Sequence, residues 1–396
     1  MKKIIFWIEK IMKNIFSYYN DNSMTTGQNV EKNRNPGIDL IRLIGMYNVI
    51  LNHFLFIGDA FKKYPKYKNQ LTILHIFTDW HNNGFALISG IVGYKVCRYC
   101  NLLYLWLTVL FYSLGIHLYV IYFKKNFIVR DNILKDCFPI IFQRYWYFTA
   151  YFGMYLFLPV INKGISCLNK SELRLVVIST IGIFVFWRDF ENPNKDIFNL
   201  KSGNSIMWLL IYFLTGAYIG KYKVIYHGAK KYIFCLICII IYIFSSYLYI
   251  LEKGFVHNSI YEYYKKEISV ILNKMLTMRF DSFLKITQSL TTTLFCLQIR
   301  YNKYISKTIC FLGPLAFGVY LIHIHPLFIR NVLSHTFDNS EKDISFLSII
   351  YFIFSKALKT FFLCIIIDYF RNMIFKLLKL KKICILIEEY INNIIS

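Results

Sequence analysis

The sequence has few acidic side chains, and its long hydrophobic runs carry almost no charge of either sign. Only 22 of the 396 residues are Asp or Glu, whereas 46 are Lys or Arg, 56% are hydrophobic and 19% are aromatic. The runs also lack the polar face that helices of a soluble protein show. This absence argues against a soluble enzyme, and the recurrence of the runs along the chain indicates a polytopic helical membrane protein.

The shortage of acidic residues leaves a formal net charge of +24. Such a charge does not by itself indicate a nucleic-acid partner, because Lys and Arg beside membrane helices interact with anionic lipid headgroups. We therefore expect the basic residues to face a lipid bilayer, and we expect no nucleic acid as a partner.

The hydrophobic runs predict an all-α fold, a transmembrane bundle of about ten helices, since one bilayer span needs roughly 20 apolar residues. Residues 1–35 read as a basic amphipathic segment and a polar linker. The membrane domain covers residues 36–380, and residues 381–396 form a cytoplasmic C-terminal tail. The predicted spans are residues 38–57, 71–93, 102–123, 145–161, 173–187, 205–220, 231–251, 283–298, 311–333 and 345–368.

Basic residues are distributed unevenly between the loops. The short loops on the N-terminal side are rich in Lys and Arg and nearly free of acids, whereas the opposite loops mix both signs. The positive-inside rule therefore predicts a plasma-membrane protein with both termini in the cytoplasm. One group of lysines opposes this bias, because it falls in the outer loop after the first span: Lys62, Lys63, Lys66 and Lys68.

Several catalytic and metal-binding patterns are missing. No Gly-x-Ser-x-Gly elbow surrounds Ser89, so we expect helix packing rather than nucleophilic attack from this segment. Cys235 and Cys238 lie in an apolar span without a soluble zinc knuckle, which favours inert buried thiols. His323 and His325 form a His-x-His pair, but no carboxylate stands at a metal-ligand spacing from them. The sequence therefore predicts no metal.

The first span contains two ionisable side chains, Arg42 and His53. Ionisable groups at membrane depth are costly and are candidate functional residues. Eleven residues separate them, which is roughly three helical turns, so both project from nearly one face about 16 Å apart. One elongated ligand could contact both. Histidine suits proton abstraction near neutral pH, and Asp39 could orient Arg42. In the alternative interpretation, Arg42 snorkels to the interface and His53 bridges two helices.

Six short sequence segments occur along the chain in the same order as the motifs of one family of membrane enzymes. Together they resemble the acyltransferase-three family of integral membrane acyltransferases, in the branch that O-acetylates surface polysaccharides. The sequence departs from the family at Lys95-Val96-Cys97-Arg98, where Arg-x-x-Arg is common, and at Ile324, where an acid is usual. The segments are Ile38-Asp39-Leu40-Ile41-Arg42 through His53, Asn83 to Gly90, Leu105-Trp106 through Ser113, Tyr145 to Tyr151 followed by Leu158-Pro159, Tyr212 to Ile219, and Phe317 to Leu327.

The resemblance implies acetyl-CoA as a cytoplasmic acyl donor and a hydroxyl of a glycan or glycolipid precursor as the acceptor. Arg42 and His53 match the family's Arg-x10-His helix. We therefore interpret His53 as the catalytic base or a transient acyl carrier, and Arg42 as a donor-binding or charge-stabilising residue.

Further contacts are predicted at the two ends of the bundle. Lys95 and Arg98, spaced i,i+3 at an inner helix end, could hold the phosphates of CoA or could simply anchor the helix at the interface. Aromatic and histidine side chains toward the outer side could line the acceptor path, although aromatic residues also form the ordinary interfacial belt. The predicted acceptor contacts are Asn52, Trp146, Tyr320, His323 and His325.

Two other functions remain open from the sequence. The intramembrane Arg, His and Asp could form the path of a proton-coupled transporter or exporter of a glycan-related solute. The absence of an inverted repeat and of paired broken helices counts against a transporter. A scaffold in a glycan-assembly complex is the third possibility.

Overall fold

The computed structural model describes residues 34–95, 97–124, 127, 129, 132–187, 196, 198–252, 281–338 and 344–395. The chain divides into two units, Met1–Pro36 and Gly37–Ser396. The amphipathic segment predicted for residues 1–35 therefore lies outside the described residues, apart from its last two positions. The domain boundaries drawn from the sequence remain predictions.

Every regular element in the described part of the chain is helical, which confirms the all-α prediction. Short 3-10 helices lie at Pro65–Tyr67, Lys201–Gly203 and Gly313–Leu315, and short π-helices lie at Gly182–Trp187 and Ile329–Leu333. The α-helices are α1 (Pro36–Phe56), α2 (Ala60–Lys63), α3 (Lys68–Thr78), α4 (His81–Gly93), α5 (Tyr99–Phe123), α6 (Ile133–Cys137), α7 (Trp146–Cys167), α8 (Lys170–Ile181), α9 (Ile206–Tyr222), α10 (Ala229–Glu252), α11 (Phe283–Gln298), α12 (Lys303–Leu312), α13 (Ala316–His323), α14 (Pro326–Phe328), α15 (Phe346–Leu377) and α16 (Leu380–Ile395).

Five stretches of helix among the described residues are long and apolar enough to cross a membrane. The first of them is the most enclosed, with 67% of its apolar window buried, so α1 is a central helix rather than a lipid-facing one. The count of about ten spans remains a prediction. The five stretches are Pro36–Phe56, Tyr99–Phe123, Ala229–Ile250, Lys303–His323 and Phe346–Leu377.

Two predicted spans are not continuous helices. The span predicted at 71–93 consists of α3 and α4, which are separated by Asp79 and Trp80. In the span predicted at 311–333, α13 ends at His323. Pro326 begins α14 and lacks the amide hydrogen that would be needed to continue α13. Both interruptions bring polar side chains to the interior of the bundle.

Helices α4 and α9 pack backbone against backbone. A side chain on Gly90 would overlap the backbone oxygen of Phe213, and one on Gly216 would overlap the backbone oxygen of Leu87. Ser89 donates its hydroxyl hydrogen to the Phe85 carbonyl of its own helix, at 2.9 Å. The structure thus confirms the packing role expected for this segment.

Replacing Gly90 by Ala is expected to destabilise the protein by about 1–3 kcal/mol, because the added methyl group meets a backbone atom that cannot rotate away. Gly115→Ala is the matched control, since it is also helical and a Cβ there meets nothing within 4 Å. Thermal unfolding in detergent should give a lower midpoint for Gly90→Ala and an unchanged or higher one for Gly115→Ala. Equal midpoints would contradict the close approach.

Candidate active site

Two histidines from distant parts of the sequence meet at the centre of the candidate site. His53, in the last turn of α1, and His323, at the end of α13, are 3.1 Å apart between Nδ1 and Nε2. Their ring centroids are 5.2 Å apart. His323 is completely buried and His53 is half-buried, so His53 is the more accessible of the two.

A backbone carbonyl determines which nitrogen of each ring carries the hydrogen. Nδ1 of His323 lies 2.6 Å from the Val319 carbonyl oxygen, which can only accept, so Nδ1 donates. Nε2 of the neutral His323 ring must then accept the hydrogen bond from Nδ1 of His53. The lone pair of neutral His53 is therefore on Nε2, and His53 rather than His323 is the candidate base.

Arg42 is held in place near the other end of α1. Its Nη1 lies 2.6 Å from Oδ1 of Asp39, which is completely buried, while the Arg42 side chain is 28% exposed. The Asp39 carboxylate packs directly on Gly313, where a Cβ atom would overlap it. The ion pair confirms the orienting role expected for Asp39 and leaves part of the guanidinium group accessible.

A further buried histidine, His81, was not among the predicted site residues. His81 is the first residue of α4, and its Nδ1 lies 3.0 Å from the Thr78 carbonyl oxygen. Because that oxygen accepts, the lone pair of neutral His81 is also on Nε2. The His81 Cβ packs 3.6 Å from the position of a Cβ on Gly45 of α1. Its place just before the Asn83 segment was the only signal for it in the sequence.

Asn52 is placed in a buried polar network rather than at an open surface. Its Oδ1 lies 2.9 Å from Nδ1 of His75 and accepts a hydrogen bond of 3.1 Å from Thr78. Both partners lie at or near the end of α3, so Asn52 ties α1 to the α3–α4 break. Contact between Asn52 and an acceptor remains a prediction.

An ion pair stabilises the break between α3 and α4. Nζ of Lys285, on α11, lies 3.1 Å from Oδ2 of Asp79, and neither side chain is more than 5% exposed. Nε2 of His75 lies 3.7 Å from the same oxygen. Trp80, inside the break, accepts a hydrogen bond from Ser289 at 2.9 Å. These contacts fix the point at which α4, and with it His81, begins.

A group of aromatic rings adjoins His323 through Tyr320. Tyr320 lies one turn before His323, and the two ring centroids are 6.5 Å apart. Tyr145 and Tyr147 lie 5.9 and 6.5 Å from Tyr320 by the same measure, and Trp146 lies 5.5 Å from Tyr147. The hydroxyls of Tyr145 and Tyr147 are buried and have no hydrogen-bond partner among the described residues. Since buried polar atoms are usually paired, these hydroxyls are candidates for binding a polar group of a substrate.

His325 belongs to a separate cluster around Asp136, which lies in the short helix α6. Arg144 donates two hydrogen bonds to the Asp136 carboxylate, at 2.7 and 2.9 Å, and Nε2 of His325 lies 3.7 Å from it. Burial acts to raise the pKa of Asp136, but the neighbouring His325 ring and the hydrogen bonds and charge of Arg144 hold that pKa below its ordinary value. Nδ1 of His325 also accepts the amide hydrogen of Leu327 and caps α14. His325 therefore does not join His53 and His323.

The two predicted CoA-binding residues lie near the C-terminal helix. The Arg98 guanidinium pairs with Glu388 of α16 at 3.0 Å, and Lys95 is exposed with its ammonium 5.7 Å from the Tyr94 ring centroid. Residues predicted as a C-terminal tail thus form a helix that contacts the start of α5. The contact of Lys95 and Arg98 with CoA phosphates remains a prediction.

The fold and the site define an integral membrane protein with a hydrogen-bonded pair of histidines inside its helical bundle. Within the described ranges, no group of three or more His, Cys, Asp or Glu side chains could hold a metal ion. A family model described as an acyltransferase domain matches residues 35–369. The chain therefore belongs to the acyltransferase-three family and is a membrane acyltransferase. No curated protein and no solved structure matches the sequence.

Replacing Lys285 by Met is expected to destabilise the protein by about 3–5 kcal/mol, because it leaves the buried Asp79 carboxylate without its partner. The double variant Lys285→Met/Asp79→Asn removes both charges and should recover much of that loss. Thermal unfolding of the single and double variants in detergent gives the comparison. Additive effects of the two substitutions would show that the pair is not coupled.

Proposed function

We propose that this membrane acyltransferase transfers an acetyl group, or another short acyl group, from acyl-CoA to a hydroxyl of a surface polysaccharide or its glycolipid precursor. The observation that supports the proposal most strongly is the chain of hydrogen bonds from His53 through His323 to Val319. Acyl transfer to a hydroxyl needs a base, and this chain leaves one accessible lone pair on His53. The six segments that resemble polysaccharide O-acetyltransferases support the choice of acceptor.

His53 is the base of the proposed reaction. Its Nε2 accepts the proton of the acceptor hydroxyl while the hydroxyl oxygen bonds to the acyl carbon. The carbon–sulfur bond breaks, its electron pair stays on the CoA sulfur, and the His53 imidazolium returns the proton to that thiolate. His323 stabilises the imidazolium because its Nε2 continues to accept from His53. A route in which Nε2 itself carries the acyl group begins from the same lone pair.

The developing charge on the acyl oxygen needs a hydrogen-bond donor in a site that excludes water. The hydroxyl of Tyr320 suits this role, because it is buried and belongs to the residue one turn before His323. Tyr145 and Tyr147 carry two further hydroxyls of this kind. Trp146 adds an aromatic surface suited to a sugar ring.

Acyl-CoA is proposed to enter from the Arg42 end of α1. The partly exposed guanidinium of Arg42 and the exposed ammonium of Lys95 are cations of the kind that bind phosphate groups. If both termini are cytoplasmic, as the loop charges predict, this end faces the cytoplasm and the His53 end faces outward. Donor and acceptor then approach the histidine pair from opposite sides of the membrane.

Replacing His53 by Ala should abolish O-acylation of the surface glycan, because the only base of the proposed reaction is lost. The measurement is NMR and mass analysis of glycans from cells that carry the wild type, His53→Ala or no copy of the gene. His335→Ala is the matched control, since His335 has a side chain 58% exposed and pairs with Asp338. This control should leave acylation unchanged.

His323→Ala should lower acylation less than His53→Ala does, because it removes the partner of the base and keeps the base itself. We expect His53→Ala to lower the rate of acylation by about 100-fold or more, which is within the range that general base catalysis contributes. Full acylation in cells that make normal amounts of the His53→Ala protein would contradict the proposed function.

A further inference from the structure

The loop that follows α1 forms a basic cavity at the His53 end of that helix. The cavity has a volume of about 510 Å³, which lies within the range of small-molecule binding sites. The side chains that give it its chemical character are Lys62, Lys63, Lys66, Tyr64 and Tyr67. We refer to it as the lysine cavity.

No carboxylate among the described residues neutralises the charges of the lysine cavity. None of Lys62, Lys63 and Lys66 forms an ion pair with a carboxylate in the described part of the chain. Lys62 and Lys66 are exposed and Lys63 is half-buried. The Lys66 ammonium lies 5.4 Å from the ring centroid of its neighbour Tyr67. The cavity therefore presents three positive charges and an aromatic ring to the same space.

The wall of the lysine cavity is continuous with the packing around the active site. Tyr64 is buried in the same hydrophobic cluster as Phe54 and Tyr320. The chain enters the loop through Gly58, whose amide donates to the His53 carbonyl at 3.0 Å. The last turn of α1 thus carries His53 and leads directly into the segment that forms the cavity.

The position of these lysines is unusual for a membrane protein. The loop charges predict a cytoplasmic N-terminus, so the loop after α1 lies on the outer side, where the positive-inside rule disfavours Lys. Lysines that the topology does not favour, gathered around one cavity, indicate a role in binding. The acceptor of the proposed reaction approaches from this same end of α1.

We propose that the lysine cavity binds an acidic group of the acceptor glycan, a carboxylate or a phosphate, and so selects an anionic polymer as the substrate. This inference rests on the proposed function. The ammonium groups supply point charges for either anion, and Tyr67 supplies an apolar face for a sugar ring. The anionic group is held in the loop while a neighbouring hydroxyl reaches His53.

The test is direct binding to the full-length protein in nanodiscs of uncharged lipid. The probes are a galacturonic acid trimer, a glycerol phosphate oligomer and the neutral sugar maltotriose, so the two acidic probes distinguish carboxylate from phosphate. We expect one acidic probe to bind at least roughly tenfold more tightly than maltotriose, a difference of about 1.4 kcal/mol. This binding should weaken with added salt, because exposed charges are screened.

The triple variant Lys62→Gln/Lys63→Gln/Lys66→Gln should lose at least roughly tenfold in affinity for that probe. The matched control is Lys379→Gln/Lys381→Gln/Lys382→Gln, which removes three exposed lysines far along the sequence and should bind as the wild type does. Equal unfolding midpoints of the two variants show that the difference is not a folding defect. Unchanged affinity in the first variant, or equal binding of maltotriose, overturns the proposal.

Two further arms separate this proposal from the proposed function and from lipid binding. His53→Ala should bind the acidic probe normally. If the wild-type protein binds this probe but transfers no acyl group to it from acyl-CoA, the proposed reaction is contradicted and the lysine cavity remains supported. If the lysines instead contact lipid headgroups, the protein will bind phosphatidylglycerol through these lysines, and none of the glycan probes will bind. That outcome overturns the proposal.

Discussion

The hydrogen bond from His53 to His323 determines what chemistry this fold can support. It joins the first apolar helix to a helix near the other end of the chain, and the Val319 carbonyl sets the direction of both hydrogen bonds in the series. Without that carbonyl, either nitrogen of His53 could carry the hydrogen, and the accessible atom would not be defined as a base. The hydrogen bond between α1 and α13 therefore orients Nε2 of His53, the atom proposed as the base.

Buried ion pairs hold the surrounding framework. In a chain with few acidic residues, four of the buried acids in the described ranges are each paired with a cation. The pairs are Asp39 with Arg42, Asp79 with Lys285, Asp136 with Arg144, and Asp368 with Arg371. Removing one partner of such a pair is costly, because an unpaired charge then remains inside the bundle. The pairs stabilise the start of α1, the α3–α4 break, the contact of α6 with the loop before α7, and the end of α15.

Much of this arrangement could be predicted from the sequence, and some of it could not. Arg42 and His53 stand out because an apolar span rarely contains either residue, and the helical repeat places both on one side. The pairing of His53 with His323 could not be predicted, because 270 residues separate them and no periodicity connects segments so far apart. His323 and His325 looked equivalent, yet the helix ends between them, and His325 turns toward Asp136. The break at Asp79, together with Lys285, depends on the same kind of distant contact.

The protonation of the histidine rings tests the central claim most directly. Nitrogen NMR of histidine-labelled protein in lipid nanodiscs distinguishes a ring nitrogen that carries hydrogen from one that does not. Spectra of His53→Ala and His323→Ala would assign the signals. At neutral pH the account predicts that His53 carries its hydrogen on Nδ1 and has a bare Nε2, and that His323 also carries its hydrogen on Nδ1. A His53 ring with its hydrogen on Nε2 would contradict its role as the base.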